Sequence, residues 1–298
     1  MTSELWKAIA KAADDTLEPR IPSAGCSFQP VGGGCIHQSW KVTTPEQSWF
    51  VKTNAAERLD MFQAERAGLV PLRQTGTLRV PKVLASGVSR DTAWLILEHL
   101  ELRRGSGSEF REMGRQLATL HRGASPDTKH GWTRSNFIGS TPQSNRPHAS
   151  WLAFFRDERL APQFDLSGDR FVDAGAMLNA TDVLLADHEP PASPLHGDLW
   201  AGNAAFGETG EPVVFDPAFY WGDRETDLAF TGMFGGFPPS FYHGYDAEWP
   251  RPAGYEERVP LYNLYHLLNH HHLFGEPYGH QAEQAIQTLL KKADSLAG

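Results

Sequence analysis

A short segment, residues 196–203, combines an acid and an amide at a spacing that suits phosphoryl transfer. Its sequence is HGDLWAGN, so Asp198 and Asn203 have the separation of the acid and amide in kinase catalytic loops. Asp216 follows the apolar run 212–215. Transfer of a γ-phosphoryl group requires the attacking oxygen, the phosphates and Mg²⁺ to be held in line. The pattern predicts Asp198 as the base, with Asn203 and Asp216 as Mg²⁺ ligands. It favours this interpretation over a loop in which these side chains only cap backbone groups.

A lysine and a glutamate in the first hundred residues could hold the nucleotide. Lys52 ends the apolar strand 49–51 and would contact the α- and β-phosphates of ATP. Glu65, in the helical segment that follows, would be its partner. Either residue alone would be an ordinary surface charge, but their order and spacing favour the pair.

A glycine run precedes this pair. Gly32, Gly33 and Gly34 match neither the GxGxxG pattern nor a Walker A motif. Consecutive glycines still let backbone N–H groups approach phosphates closely, whereas the alternative is a flexible hairpin turn. Their position upstream of Lys52 favours a phosphate-covering loop.

The elements around these residues predict a small β-rich lobe. Residues 26–54 are typical of a β-meander, and residues 80–84 and 93–97 of two further strands. Residues 59–72 have helical periodicity, with Pro71 expected to end or bend the helix. Residues 1–98 are therefore predicted to form an N-lobe that grips the ATP phosphates.

The rest of the chain is predicted to be mainly helical. Ser108 is a candidate N-cap for a helix over 109–122, and a polar loop follows over 123–147. Further helices are expected over 150–162 and 171–187, then a short β-like patch over 194–216 and helical sequence to the end. The fold class is α+β, protein-kinase-like and two-lobed, with residues 99–298 as the C-lobe that carries the catalytic loop and substrate site.

Composition limits the partners. The chain has 298 residues, 40% of them hydrophobic, and a formal net charge of −9, which argues against nucleic acid or an anionic membrane as a partner. No apolar run reaches the roughly 18 residues of a membrane helix. The first 15 residues are typical of an amphipathic helix and not of a signal peptide, so we expect a cytoplasmic protein. Cys26 and Cys35 are too few for a disulfide framework, and no spacing suggests zinc.

The sequence resembles the fructosamine kinase (ketosamine-3-kinase) family, relatives of the aminoglycoside and choline kinases in the protein-kinase-like superfamily. The resemblance covers nearly the whole chain. Trp200, directly after His-Gly-Asp-Leu, and the Asp-Pro-Ala at 216–218 separate this family from typical aminoglycoside kinases. The matching segments are 34–36, 50–52, 61–65, 117–122, 136–143, 151–156, 195–203 and 216–229.

This resemblance implies ATP-dependent phosphorylation of the 3-hydroxyl of a ketosamine, free or protein-linked, after which the unstable adduct leaves the amine. Such enzymes act in protein deglycation, and ribulosamine, erythrulosamine and fructosamine are the expected adducts. The family places the adenine hinge at Glu98, His99 and Leu100. It makes Asp227 an architectural residue that accepts backbone N–H groups of the catalytic loop.

The resemblance raises questions at several other positions. Asp223 stands where animal members are expected to have His, so sugar preference could differ if it lies near the substrate. Trp200, Tyr220 and Trp221 could line a sugar pocket or belong to the core.

Cys35, in the glycine loop, could be a redox-sensitive thiol that links a homodimer, or a small packed residue. The histidines at 266 and 270–272 are expected in the core or at the pocket edge in preference to a zinc site.

Two other functions are compatible with part of the pattern. A kinase for aminoglycosides, choline or another small alcohol would use the same catalytic residues. A nucleotide-binding pseudokinase scaffold would not need Lys52, Glu65, Asp198, Asn203 and Asp216 together. A protein kinase is less favoured because no Ala-Pro-Glu anchor follows Asp216.

Overall fold

A five-stranded antiparallel sheet dominates the first hundred residues of the computed structural model, which describes residues 1–13, 21–32 and 36–297. The strands lie in the order β1-β2-β3-β5-β4. Their bounds are β1 Ser27–Val31, β2 Gln38–Thr43, β3 Ser48–Ala55, β4 Val83–Ser89 and β5 Thr92–Glu98. Helix α1 (Ser3–Ala13), a 3₁₀ turn (Ala56–Arg58) and helix α2 (Leu59–Gln74) complete this lobe.

The two faces of the sheet are covered by different helices, as the period of two along a strand requires. Trp94 and Ile96 of β5 share a core with Trp6 and Ile9 of α1. Their neighbours, Leu95 and Leu97, instead pack in the core that contains Phe62 and Leu69 of α2. Lys52 pairs in register with Leu95. Its side chain therefore lies on the α2 face of the sheet.

Two predictions about this lobe were wrong in detail. Helix α2 runs through Pro71 to Gln74. A proline so near the C-terminal end removes only one intrahelical hydrogen bond, and Leu72 beyond it is buried. The fourth strand begins at Val83 and not at Val80. The backbone before this strand pairs with another segment instead, because Arg79 N–H donates a hydrogen bond to Pro212 O at 3.0 Å.

The remainder of the described chain is mainly helical, with three two-stranded antiparallel sheets. The strands are β6 Asn136–Ile138, β7 Thr141–Gln143, β8 Ser193–Leu195, β9 Ala204–Phe206, β10 Pro212–Val214 and β11 Tyr220–Gly222. The helices are α3 Gly107–His121, α4 Trp151–Phe154, a π-helical turn Phe155–Leu160, α5 Ala161–Ser167, a 3₁₀ turn Gly168–Arg170, α6 Ala174–Leu184, α7 Glu225–Thr231, α8 Pro239–Glu248, α9 Tyr255–Phe274 and α10 Glu276–Ala297. The predicted architecture of a β-rich lobe followed by a helical lobe is confirmed.

Helix α3 is capped by Ser106 and not by Ser108. Ser106 Oγ accepts the N–H of Glu109, and Glu109 Oε2 accepts the N–H of Ser106 at 2.7 Å. This reciprocal capping box requires the glutamate three residues after the cap, a spacing that only Ser106 has. The predicted loop 123–147 also contains the β6–β7 hairpin.

Helices α3 and α8 approach closely because glycines face each other at their contact. A Cβ at Gly114 would lie 2.0 Å from Phe241 O, and one at Gly244 would lie 1.9 Å from Arg111 O. This contact brings the end of α3 to Tyr245, whose hydroxyl lies 2.9 Å from His121 Nδ1. Within the described ranges, no helix combines the length and apolarity needed to cross a membrane.

Candidate active site

The catalytic-loop segment, residues 196–203, lies between β8 and β9 and is fastened to α7. Asp227 of α7 accepts the N–H of His196 at 2.7 Å and that of Gly197 at 2.8 Å. Gly197 has φ +80°, and a Cβ there would lie 2.2 Å from Ala218 O. Only glycine fits this position. The predicted architectural role of Asp227 is confirmed.

Asp227 is itself held by a buried chain of polar groups. His121 Nε2 lies 3.2 Å from Asp227 Oδ2, and both side chains are almost fully buried. Burial would raise the pKa of Asp227, but the hydrogen bond from His121 and the N–H groups of the loop bring it below its usual value. Asp227 is therefore a carboxylate whose charge is neutralised by fixed donors.

Asp198 projects from the loop beside Asn203. Asn203 Nδ2 donates to the Asp198 carboxylate at 2.9 Å and to its backbone oxygen at 2.8 Å. Burial, together with the charge of Asp216, raises the pKa of Asp198 to about 7, although the hydrogen bond from Asn203 opposes the rise. A carboxylate with a pKa near the working pH suits a general base.

Asp216 follows β10 with an unusual backbone. Its φ of +57° places a non-glycine residue in the left-handed region. Such strain is typical of functional sites. Asp216 Oδ1 lies 2.5 Å from Lys52 Nζ, so the turn aims this carboxylate toward the N-lobe. Its backbone neighbour is fixed to the catalytic loop, since Phe215 N–H donates to Asn203 O at 3.1 Å.

Lys52 bridges two acids in the interior. Its Nζ lies 2.8 Å from Glu65 Oε1 as well as 2.5 Å from Asp216. Burial alone would lower the pKa of Lys52, but the carboxylates of Asp216 and Glu65 raise it above its ordinary value. Burial raises the pKa of Glu65, against the attraction of Lys52. The predicted lysine–glutamate pair is therefore formed in the structure.

The oxygens near Asp198 fit a hard divalent cation. Asn203 uses its Nδ2 toward Asp198, so its Oδ1 has no hydrogen-bond partner among the described residues. Asp216 engages Lys52 through Oδ1 only, and its side chain is 43% exposed. One amide oxygen and one free carboxylate oxygen are the kind of ligand that Mg²⁺ takes together with phosphate oxygens and water.

These residues line one cavity of about 490 Å³ between the two lobes. Lys52, Glu65, Asp198, Asn203 and Asp216 all contribute to its wall. The cavity thus brings together five of the predicted site residues, which are up to 164 positions apart. Sequence reasoning missed most of the remaining lining, which includes Ile36, His37, Met61, Asn136, Phe137, Phe234, Asn269, Leu273, Phe274 and Tyr278.

The predicted hinge and glycine loop lie apart from this cavity or outside the described residues. Glu98, His99 and Leu100 are not among its lining residues. The Glu98 carboxylate accepts the N–H of Lys82 and lies 2.6 Å from Arg79 Nη2. The Glu98 side chain is therefore held by contacts within the N-lobe, and the adenine hinge stays a prediction.

In the glycine run, Gly32 is exposed and does not line the cavity either. Gly33, Gly34 and Cys35 lie outside the described residues, so the redox prediction stays untested.

The candidate sugar-pocket aromatics separate into two groups. Trp200 lines the cavity. Tyr220 is buried and stacks on Phe154, with the Arg159 guanidinium 4.1 Å from its ring centre. Trp221 packs against Phe219 at 5.7 Å and does not line the cavity. Tyr220 therefore belongs to the interior of the C-lobe, and the half-buried Trp221 packs against its core.

Asp223 does not reach the cavity. It is 1% exposed and is bound by His188 Nε2 at 2.7 Å and by the Tyr262 hydroxyl at 2.6 Å. It also accepts the N–H of Glu225 at 3.0 Å near the start of α7. Asp223 is not among the residues that line the cavity, which is where we expect the substrate to bind. Its contacts instead stabilise the helix that carries Asp227.

Two of the four histidines of α9, His266 and His270, lie in the core and at the cavity edge, as expected, whereas His271 and His272 are half-buried and do not line the cavity. His266 is buried and stacks on Phe230, with ring centres 3.5 Å apart. His270 lines the cavity. Burial lowers the pKa of both histidines, so they are neutral at pH 7. As neutral rings, His266 packs in the core and His270 shapes the cavity wall, and neither adds a positive charge to the site.

The comparison with known proteins agrees with this geometry. A sequence model of the fructosamine kinase family matches residues 5–292. A Synechocystis sp. protein described as a probable ketoamine kinase is 43% identical, over 96% of this chain and 97% of its own. The protein-ribulosamine 3-kinase of Arabidopsis thaliana, a chloroplastic protein, is 35% identical, over 95% of this chain and 90% of its own. The crystal structure of a candidate fructosamine-3-kinase from Haemophilus somnus superposes with a TM-score of 0.88 at 30% identity, covering 96% of this chain and 98% of the other.

Proposed function

Because the chain belongs to the fructosamine kinase family, we propose that it transfers the γ-phosphoryl group of ATP to the 3-hydroxyl of ketosamines. Ribulosamine, erythrulosamine and fructosamine adducts of amines are the proposed substrates. One observation carries the proposal: a single cavity holds Asp198 beside the Lys52, Glu65 and Asp216 constellation of an ATP-dependent phosphotransferase. The same cavity has mostly apolar and aromatic walls that could enclose a small organic acceptor.

The base in this mechanism is Asp198. Its carboxylate accepts the proton of the acceptor hydroxyl while that oxygen attacks the γ-phosphorus. The raised pKa near 7 keeps the proton affinity of Asp198 high enough for this task. Asn203 orients the carboxylate through its hydrogen bond at 2.9 Å. Asp227 keeps the loop in place by accepting its N–H groups.

The phosphates would be held from the N-lobe. Lys52 is charged, buried and aimed at the same space as Asp216. Glu65 fixes the position of its ammonium group. When bound, Mg²⁺ would neutralise phosphate charge, and Asn203 Oδ1 and Asp216 are the oxygens that would hold it.

The finer biological role follows from the chemistry of the product. A 3-phosphorylated ketosamine can eliminate phosphate and release the amine, so phosphorylation of protein-linked adducts would repair glycated protein. We propose this deglycation role and a cytoplasmic location. The aminoglycoside and choline alternatives are not favoured, because the family match covers residues 5–292.

A coupled ADP-release assay tests this proposal. The panel contains Nα-protected lysine carrying ribulosamine or fructosamine on its side chain, an aminoglycoside and choline, each with Mg²⁺. We expect turnover of the ketosamines, with ³¹P NMR placing the phosphate on the 3-oxygen. Turnover of choline or the aminoglycoside, without turnover of any ketosamine, would overturn the proposal.

A further inference from the structure

Five aromatic rings form a contiguous part of the cavity wall, and we call them the aromatic cluster: Trp200, Phe234, His270, Phe274 and Tyr278. They come from four segments of the C-lobe. Trp200 belongs to the catalytic loop, and Phe234 to the turn after α7. His270 and Phe274 lie one turn apart on α9, whereas Tyr278 lies in the first turn of α10.

The rings contact each other in tilted or edge-to-face arrangements. Phe234 lies 6.3 Å from Trp200, 4.6 Å from His270 and 6.0 Å from Tyr278 between ring centres. His270 lies 5.4 Å from Phe274 and 5.1 Å from Tyr278. The angles between these ring planes range from 36° to 85°. Tilted and edge-to-face rings leave π-faces available to a guest, whereas stacked rings would not.

Phe234 is held in an unfavourable backbone conformation. Its φ is +48°, in the left-handed region that a bulky residue rarely adopts. Gly235 and Gly236, which follow it, also have positive φ, but Phe234 adopts this conformation with a bulky side chain. Strain of this kind is typical of residues that must present a side chain to a ligand.

Asn269 adds a buried acceptor to the same wall. It is 1% exposed and lines the cavity. The amide nitrogen Nδ2 of Asn269 donates to Ile138 O at 3.4 Å, so only the amide oxygen Oδ1 remains to be considered. That Oδ1 has no hydrogen-bond partner among the described residues. This oxygen is fully buried, so the amide shapes the wall and does not itself contact a ligand.

The charges near the aromatic cluster favour a cationic guest. Lys52 is already neutralised by Glu65 and Asp216. Burial lowers the pKa of His37 to about 4 and that of His270 below its usual value, so both rings are uncharged at pH 7. Arg58 lines a neighbouring cavity of about 290 Å³ but is exposed to solvent, which screens its charge.

We propose that the aromatic cluster binds the protonated secondary amine of the ketosamine. The proposal rests on the proposed function. The amine nitrogen is bonded to C1 of the sugar, two carbons from the C3 hydroxyl, and Trp200 stands two residues after the base Asp198. Aromatic faces attract alkylammonium ions, and the tilted rings suit the methylene groups on either side of the nitrogen. The site thereby selects charged amine adducts over neutral sugar conjugates.

The test compares a 1-alkylamino-1-deoxyribulose with its neutral 1-O-alkyl analogue. Wild-type kcat/KM should favour the amine. Phe234→Leu and Tyr278→Leu should reduce that preference by about 3- to 30-fold, mainly through KM for the amine, because Leu keeps apolar bulk but lacks a π-face. Tyr278→Phe should retain the preference. Phe110→Leu is the matched control, since Phe110 is a half-buried ring that packs on Phe206 and Phe237 away from the cavity.

A binding measurement separates this proposal from the proposed function. Calorimetric titration with N-methylbutylammonium and with butyl methyl ether requires no turnover. Tighter binding of the ammonium ion that weakens in Phe234→Leu and Tyr278→Leu supports the aromatic cluster, even if no ketosamine is phosphorylated. Equal loss for the amine and the ether, or no loss in either variant, would overturn it. Ketosamine turnover with unchanged preference in both variants would overturn it while leaving the proposed function intact.

Discussion

Lys52 Nζ lies 2.5 Å from Asp216 Oδ1, a contact that joins the N-lobe to the turn after the catalytic loop across 164 positions of the chain. The ammonium group therefore neutralises a carboxylate that we expect to hold Mg²⁺ when ATP is bound. Bringing phosphate and metal to this point would let Lys52 turn toward the nucleotide while Asp216 takes the cation. We therefore expect nucleotide binding to change the contact between the two lobes.

Replacing Lys52 by Met should impair both folding and ATP use. Glu65 would be left buried without its partner, which costs about 3–5 kcal/mol of unfolding free energy. We expect kcat/KM for ATP to fall by about 10²–10³-fold, as for the loss of one preorganised donor. Urea unfolding and initial rates at varied ATP measure the two effects.

A double variant and a surface variant serve as controls for this prediction. Lys52→Met with Glu65→Gln removes both charges, so it should recover part of the stability but none of the ATP affinity. Lys41→Met breaks the exposed pair with Glu101 and should cost less than about 1 kcal/mol. Equal losses in Lys52→Met and Lys41→Met would contradict a buried bridge.

Asp198→Asn should abolish proton acceptance and leave the fold unchanged. The amide keeps the shape of the carboxylate and an oxygen that can accept from Asn203, but it cannot take a proton. We expect kcat to fall by about 10²–10⁴-fold, with little change in melting temperature. Normal turnover by this variant would remove Asp198 from the mechanism.

The pH dependence of kcat/KM should show an acid limb near pH 7. Asp198 is active as the carboxylate, and burial with the charge of Asp216 raises its pKa to about 7. Activity should therefore fall about tenfold per pH unit below 7 and level off above it. The hydrogen bond from Asn203 lowers the pKa of Asp198. In Asn203→Ala, the activity that remains should therefore begin to fall at a higher pH than in the wild type. A limb near pH 4 in the wild type would refute the assignment.

Asp227→Asn should destabilise the catalytic loop. An amide oxygen can replace only one of the two acceptors that hold His196 N–H and Gly197 N–H. Since hydrogen bonds to a charged group contribute about 1.5–3 kcal/mol each, we expect a loss of about 2–4 kcal/mol and a lower kcat. Asp60→Asn, on the exposed surface of α2, should change stability by under about 0.5 kcal/mol. A stable variant with reduced kcat would show that Asp227 acts on the reaction and not on the loop.

Local pattern was sufficient to predict five residues that meet in the candidate active site. Lys52, Glu65, Asp198, Asn203 and Asp216 were all named from spacing, and the structure brings them to one cavity. Lys52 lies inside β3 and Glu65 inside α2, elements whose periodicity is visible in the neighbouring residues. Asp198, Asn203 and Asp216 lie in loops, where their spacing along the chain was the signal. The sequence by itself thus determined the chemistry, the order of the lobes and, through resemblance, the family.

Only the tertiary structure decided the walls of the site. Trp200 and Trp221 are indistinguishable as candidates in the sequence, yet Trp200 lines the cavity, whereas Trp221 is half-buried and packs against Phe219 away from it. Asp223 is bound by His188 and Tyr262, partners 35 and 39 positions away. Phe234 and Tyr278 meet because α7, α9 and α10 pack together. Such contacts depend on how distant helices pack, and no periodicity along the chain encodes that packing.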